Sequence, residues 1–369
     1  MGKFGFIIHP LELSDVSRKY KAAKYLPEPV LENIIKYLPA IKTSHITGAR
    51  SNYGEAEGWF VGVTLTPKQM MTLPLPFVYN KIIQAARLAE KLGAKIVGLG
   101  AFTSVVGDAG ITIAKNVNIA VTTGNSYTVA TALDGTREAA RMMGIDIRRA
   151  QVAVVGATGS IGSVSSKILA REVKNLTIVG RNGQRLENLA EQILRETGLV
   201  VRVSTDLKAA LQNADVILTV TSSMESIIEP EDLKPGAVVC DVSRPRDVSR
   251  RVVEERKDVL VIEGGVVEVP GDVDFHFDFG FPPKTSYACM AETMMLAMEE
   301  RYENFSLGRE MTVEQIDEIN RLAKKHGFRL AGFRSFERAV TREEIETVRR
   351  NAEKKLRVSL SPLAKTAGS

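Results

Sequence analysis

Apolar residues along this chain fall into short runs rich in Val, Ile and Ala, separated by stretches where they recur at helical spacing. Within residues 1–148, the runs at 5–9, 58–65, 95–99 and 118–122 read as strands. The stretches at 28–37, 79–92 and 128–143 read as amphipathic helices, the second stopped by Gly93. Parallel strands need helical crossovers, so this alternation predicts a small, largely parallel sheet with flanking helices.

A second alternation is more regular. Strands are expected at 151–155, 175–179, 200–204, 215–220, 237–241 and 259–262, with helices at 163–172 and 185–197. That is the pattern of a doubly wound parallel sheet. After Pro282-Pro283 the chain turns helical, at 285–302 and 312–325. A further exposed helix at 341–357 opens with the capping box Thr341-Arg-Glu-Glu, and the last residues read as disordered. The fold class is therefore α/β. An N-terminal α/β domain (1–148) precedes a doubly wound parallel Rossmann domain (149–285), C-terminal helices (286–330) and a charged tail (331–369).

Composition narrows the class. With 369 residues, 44% hydrophobic and 25% charged, the chain can bury a large core. No apolar run approaches the ~18 residues of a membrane span. The N-terminus lacks the form of a signal peptide, so a cytoplasmic location is expected. Two cysteines exclude a disulfide framework and, with scattered histidines, a zinc site. The net charge of +5 is spread along the chain, and no nucleic-acid motif accompanies it. A homo-oligomer is compatible with all of this.

The strongest local signal is Val152-Ala-Val-Val-Gly-Ala-Thr-Gly-Ser-Ile-Gly162. A buried strand runs into three glycines, and a helix follows at once. Glycines let backbone approach a pyrophosphate, and the helix start offers free N–H groups. The expected contacts are Gly156, Ala157, Thr158, Gly159, Ser160, Ile161 and Gly162. The second strand ends Ile178-Val-Gly-Arg-Asn182, with no carboxylate until Glu187. Arg181 thus stands where an NAD-binding protein places Asp or Glu, and a guanidinium fork suits a 2′-phosphate. NADPH is the expected cofactor. Asn182, Thr221, Gly264 and Gly265, all at strand ends, complete the expected site.

Cys289 lies in Pro282-Pro-Lys-Thr-Ser-Tyr-Ala-Cys-Met-Ala-Glu292. If Thr285 or Ser286 caps the helix, Cys289 falls in its first turn. There the helix dipole and Lys284 favour the thiolate, which suggests reduction through a covalent thioester. A buried cysteine packed like alanine is the competing reading. Cys240, in Val238-Val-Cys-Asp241, reads as a strand core residue. The histidines form no constellation. His9 ends a strand, His45 sits in a polar loop and His326 closes a helix, while His276 is a candidate acid or base. Met290, Met294, Met295 and Met298 share the Cys289 helix, as core or as the lining of a flexible tunnel.

Taken together, several blocks resemble the long-chain acyl-[acyl-carrier-protein] reductases. They are Leu99-Gly-Ala-Phe-Thr-Ser104, Thr122-Thr-Gly-Asn125, the glycine loop, Gly264-Gly-Val-Val-Glu268, Ala288-Cys-Met-Ala-Glu292, Asn304-Phe-Ser-Leu-Gly-Arg309 and His326-Gly-Phe328. The resemblance covers about residues 1–330. It implies NADPH-dependent reduction of a fatty acyl thioester, on acyl carrier protein or CoA, to an aldehyde. It makes Cys289 the acyl acceptor, and Phe102, Thr103, Ser104, Thr123, Gly124 and Asn125 candidate substrate contacts. The segment between Glu268 and Cys289 departs from the family, being shorter and carrying Phe275, Phe277, Phe279 and Phe281. Residues 57–69 diverge, and the tail beyond about 330 is extra. The middle domain also looks like that of shikimate and quinate dehydrogenases, which suggests a hydroxy-acid dehydrogenase as the alternative. Their catalytic lysine finds an echo in Lys68, but Tyr127 stands where their aspartate should. A third reading is a sensor that binds NADP without turnover.

Overall fold

The computed structural model describes all residues except 11, 14, 17–24, 244, 337 and 367–369, with side chains up to 358. The chain divides into two compact units. One comprises 1–127, 267–311 and 315–329; the other comprises 128–266, 312–314 and 330–369.

In the first unit, β1 (Gly2–Ile8), β2 (Ile41–Ser51), β3 (Gly54–Gly62), β4 (Ile96–Leu99) and β5 (Ala120–Thr122) join the strand Gly271–Asp274 in one sheet. β1 lies between β3 and β4, parallel to both, and β4 runs parallel to β5. β2 is antiparallel to β3, and Gly271–Asp274 is antiparallel to β2. The sheet is mixed rather than largely parallel. The expected strand at 58–65 is one arm of a hairpin whose other arm, β2, carries few apolar residues. Ile46 and Ala49 are its buried apolar side chains, too few to show a period. His45 accordingly sits in a strand, not a polar loop, stacked on Trp59 with ring centroids 5.5 Å apart.

Helix Leu75–Lys91 covers this sheet with Val78, Ile82, Ala85, Ala86 and Ala89, the stripe that helical spacing predicts. Helix Ala288–Met298 lies directly on the strands, and three glycines permit the approach. A Cβ on Gly2 would fall 1.9 Å from the Ala297 carbonyl oxygen. On Gly54 it would fall 2.6 Å from that of Met298, and on Gly98 2.1 Å from Thr293 Oγ1. Met290 through Met298 are all buried, so this helix is enclosed on every side. It is shorter than the expected 285–302, because Thr285–Tyr287 form a strand.

The second unit holds β6 (Gln151–Val155), β7 (Asn175–Val179), β8 (Arg202–Ser204), β9 (Val216–Thr219), β10 (Val238–Asp241) and β11 (Leu260–Glu263). Their order is β11-β10-β9-β6-β7-β8 and every neighbouring pair is parallel. This is the doubly wound order, reversing direction at β6. β9, β10 and β11 are buried at every position, Cys240 included, as strands covered on both faces must be.

Helix Arg342–Thr366 also belongs here. Thr341 and Glu344 form the expected capping box, with reciprocal bonds of 3.2 and 2.8 Å. Ile345 and Ala352 are buried, and Lys355 Nζ reaches Asp258 at 2.8 Å. Arg256 pairs with the same carboxylate at 2.8 Å. Burial opposes ionisation of Asp258, but bonds from Arg256 and Lys355 outweigh it and hold the carboxyl below its usual range. A depressed folded value contributes stability above the unfolded value, near pH ~4, and loses it as pH falls through the folded one. Asp258→Ala should therefore cost about 3 kcal/mol at neutral pH in urea unfolding. The gap to wild type should narrow progressively as pH falls below about 4.

Candidate active site

Cys289 is the second residue of helix Ala288–Met298, and Tyr287 stands at the N-cap without a side-chain cap bond. Neither expected cap forms. Thr285 Oγ1 donates to the Pro282 carbonyl at 2.7 Å, and Ser286 Oγ to that of Tyr287 at 3.2 Å. Burial, and then the Glu292 carboxylate one turn along, push the Cys289 thiol up to about 12. The backbone N–H groups of Met290, Cys289 and Ala101 pull the other way and are outweighed. Lys284 does not compensate, because its Nζ pairs with Asp272 at 2.8 Å. This shift runs against the expected resting thiolate and favours the thiol.

Glu292 explains much of the surrounding geometry. It is fully buried in an apolar helix, and four donors converge on it. Thr122 Oγ1 (2.5 Å) and Ser306 Oγ (2.8 Å) meet one carboxylate oxygen; Ser126 Oγ (2.5 Å) and the Tyr127 N–H (2.8 Å) meet the other. The Thr122–Tyr127 turn is thereby fixed against the Cys289 helix. Gly124 adopts φ +75°, and a Cβ there would lie 2.3 Å from both Cα and Cβ of Cys289. Only glycine fits. Sequence reasoning gave Glu292 no role, although a carboxylate in an otherwise apolar helix is a visible signal.

The 99–104 block also reaches the cysteine. Ala101–Ser104 forms one 3₁₀ turn, with Ala101 at φ +46° and its N–H bonded toward the Cys289 sulfur. His9, set aside on sequence, anchors this turn: its Nε2 accepts the Phe102 N–H at 3.1 Å. A backbone N–H cannot accept, so Nδ1 carries the proton and donates to the Pro10 carbonyl at 3.0 Å. Burial lowers the His9 pKa, which keeps the ring neutral.

The six candidate substrate contacts separate into two groups. Phe102 is buried in the turn, and Thr103 and Ser104 spend their hydroxyls on the Gly100 and Ala101 carbonyls. Thr123 Oγ1 donates to the Ser306 carbonyl at 2.5 Å. Gly124 touches Cys289, and Asn125 follows it with an unpaired Nδ2. Elsewhere, His276 is exposed and its Nδ1 meets the His45 carbonyl at 2.8 Å. His326 is buried between Ser51 (2.7 Å) and Glu299 (2.5 Å). Lys68 is exposed and faces Glu32 at 3.9 Å. The methionines of the Cys289 helix pack as core.

In the second unit, the glycine loop joins β6 to helix Ser160–Leu169 where the strand order reverses. Gly156, at φ +79°, leaves room that a Cβ would lose to the Val220 carbonyl at 2.9 Å. A Cβ on Gly162 would fall 2.3 Å from the Gly156 oxygen, so this glycine sets the close helix–turn packing. Gly159 is the N-cap, no side chain caps the helix, and a Cβ there would meet only Gly156 O, at 3.4 Å. The N–H groups of Gly156, Ala157 and Gly159 bond to main-chain carbonyls, so the first turn of the helix, uncapped by any side chain, is the part of the loop that fits a pyrophosphate. Ala157 is buried beneath it, and Thr158, Ser160 and Ile161 are partly exposed along it. Arg181 is exposed and has no hydrogen bond or ion pair among the described residues. Two expected contacts are occupied otherwise. Asn182 Oδ1 caps helix Gly183–Thr197, and the Thr221 hydroxyl donates to buried Asp247, which also binds Thr219 and Ser243. Gly264 follows β11, where a Cβ would crowd Val242 and Cys240, and Gly265 takes φ +87°.

Among the described residues no helix is long and apolar enough to cross a membrane, and no cluster of three or more His, Cys, Asp or Glu could hold a metal. The shikimate / quinate 5-dehydrogenase family matches residues 137–263. Aminotransferase PigE of Serratia sp. is 29% identical over 94% of this chain, which spans only 42% of PigE. Glutamyl-tRNA reductase of Cyanophora paradoxa is 27% identical over 47% of this chain and 41% of its own. Long-chain acyl-[acyl-carrier-protein] reductase of Synechococcus elongatus is 32% identical over 88% of this chain and 98% of its own length. The second unit is an NADPH-binding domain, and the first carries a cysteine set among the blocks quoted above. The chain belongs to the long-chain acyl-[acyl-carrier-protein] reductase family.

Proposed function

We propose that this protein reduces a fatty acyl thioester, carried on acyl carrier protein or CoA, to a fatty aldehyde, with Cys289 as the acyl acceptor. The observation that carries the reading is the close backbone packing built around Cys289. A glycine is forced against it, backbone N–H groups face its sulfur, and a saturated carboxylate locks the turn beside it.

Cys289 sulfur attacks the thioester carbonyl, its S–C bond forms, and the carrier's C–S bond breaks. The proton lost by the thiol ends on the carrier sulfur, so the transfer needs no net acid or base. N–H groups at the start of the Cys289 helix, which lie beside the sulfur, would also be in place to stabilise the oxygen on which charge develops. Bound NADPH supplies the hydride. The resulting thiohemiacetal on Cys289 collapses to aldehyde, and the sulfur regains a proton. Arg181 would pair with the 2′-phosphate, and Gly156, Gly159 and Gly162 would shape the pyrophosphate cradle.

The direct test follows NADPH oxidation and aldehyde release with a series of acyl-CoA and acyl-carrier thioesters. Wild type should turn over and Cys289→Ala should not. A hydroxy-acid dehydrogenase would instead survive Cys289→Ala and fail in Lys68→Ala. Arg181→Ala should raise KM for NADPH about 10- to 100-fold, the loss of one charge-assisted contact, and leave KM for NADH unchanged. Glu292→Gln removes the like charge beside the thiol, so Cys289 should ionise at lower pH. Iodoacetamide alkylation at pH 8 should then be faster than in wild type, although the protein loses about 1–3 kcal/mol of stability. An unshifted alkylation profile would mean that burial alone sets the thiol.

A further inference from the structure

Asn125 is 5% exposed, and its Nδ2 makes no hydrogen bond among the described residues. A buried amide donor left unpaired is unfavourable, and folded proteins keep few of them. Its position is specific. Asn125 opens helix Asn125–Met142 and directly follows Gly124, the residue pressed against Cys289. The neighbouring side-chain donors are committed. Thr122 and Ser126 hydroxyls bind Glu292, and the Thr123 hydroxyl binds the Ser306 carbonyl. The main-chain N–H of Tyr127 is taken by Glu292 as well. Glu292 thus saturates this helix start and leaves the Asn125 amide as the unspent side-chain donor of the turn.

We propose that Asn125 Nδ2 is a catalytic donor to the carbonyl oxygen of the substrate thioester, stabilising the oxyanion formed at Cys289; this rests on the acyl-transfer reading. When the Cys289 S–C bond forms, the carbonyl π pair moves onto oxygen. It returns as the carrier C–S bond breaks, and the carrier sulfur takes the proton that Cys289 releases. The same oxygen bears charge again once hydride from NADPH has added to the acyl-enzyme. A donor fixed before either event costs no reorganisation when the charge appears.

The test separates an oxyanion donor from a residue that merely positions the cysteine. Asn125→Leu removes the amide at nearly constant volume; Asn125→Ala serves if the leucine variant fails to fold. Acylation of the full-length protein by hexadecanoyl-CoA, without NADPH, is followed by intact mass after rapid quenching. Alkylation by iodoacetamide is followed in parallel, because displacement at a saturated carbon forms no oxyanion. Acylation should slow about 10²- to 10³-fold, with alkylation unchanged and Tm not lowered. Acylation at the wild-type rate would overturn the proposal, as would an equal slowing of both reactions. A wild type that alkylates but never acylates would overturn the acyl-transfer reading beneath it.

Discussion

Glu292 is a carboxylate without solvent, set in a helix that is otherwise Ala, Met, Leu and Thr, and it survives there because four donors surround it. An unpaired charge at that depth would be prohibitively costly. The donors come from the end of β5, the start of helix Asn125–Met142 and the segment after the Cys289 helix. One interaction therefore fixes three distant stretches of sequence around one cysteine. It presses Gly124 against Cys289, and, after burial, the Glu292 charge adds to the upward shift of the Cys289 thiol.

The legible parts of the sequence were those where burial leaves a simple trace. β6 and β7 fall on the expected residues because strands covered on both faces read as unbroken apolar runs. β2 was hidden, since a polar strand in an antiparallel hairpin has no such trace. Helix Asn125–Met142 begins three residues before its apolar period does, because its first turn is held by Glu292, a partner 165 residues away from Tyr127.

The glycine loop and the end of β7 at Arg181 are legible because their features are local: a tight turn, an uncapped helix start, a missing carboxylate. Cys289 was found for a local reason that proved insufficient. Its place at a helix start suggested a thiolate, but burial and Glu292 act against that, and burial is set by where 267–311 packs on the first sheet. The hydroxyls of Thr103, Ser104, Thr123 and Thr221 looked available in sequence and are consumed by the fold. Asn125 looked no different from them, yet its amide alone among these candidates is left unpaired. Family blocks mark where such residues gather, and hydrogen-bond accounting distinguishes those that build the site from those that can act in it.

In the proposed reaction the acyl group is held covalently on Cys289 before hydride arrives. Intact mass of the protein mixed with acyl-CoA in the absence of NADPH, followed by peptide mapping and an NADPH chase, tests it most directly. A mass gain of one acyl group on the peptide carrying Cys289, discharged as aldehyde on addition of NADPH, is expected. A protein that reduces the same thioester while Cys289 stays unmodified at every time point would contradict it.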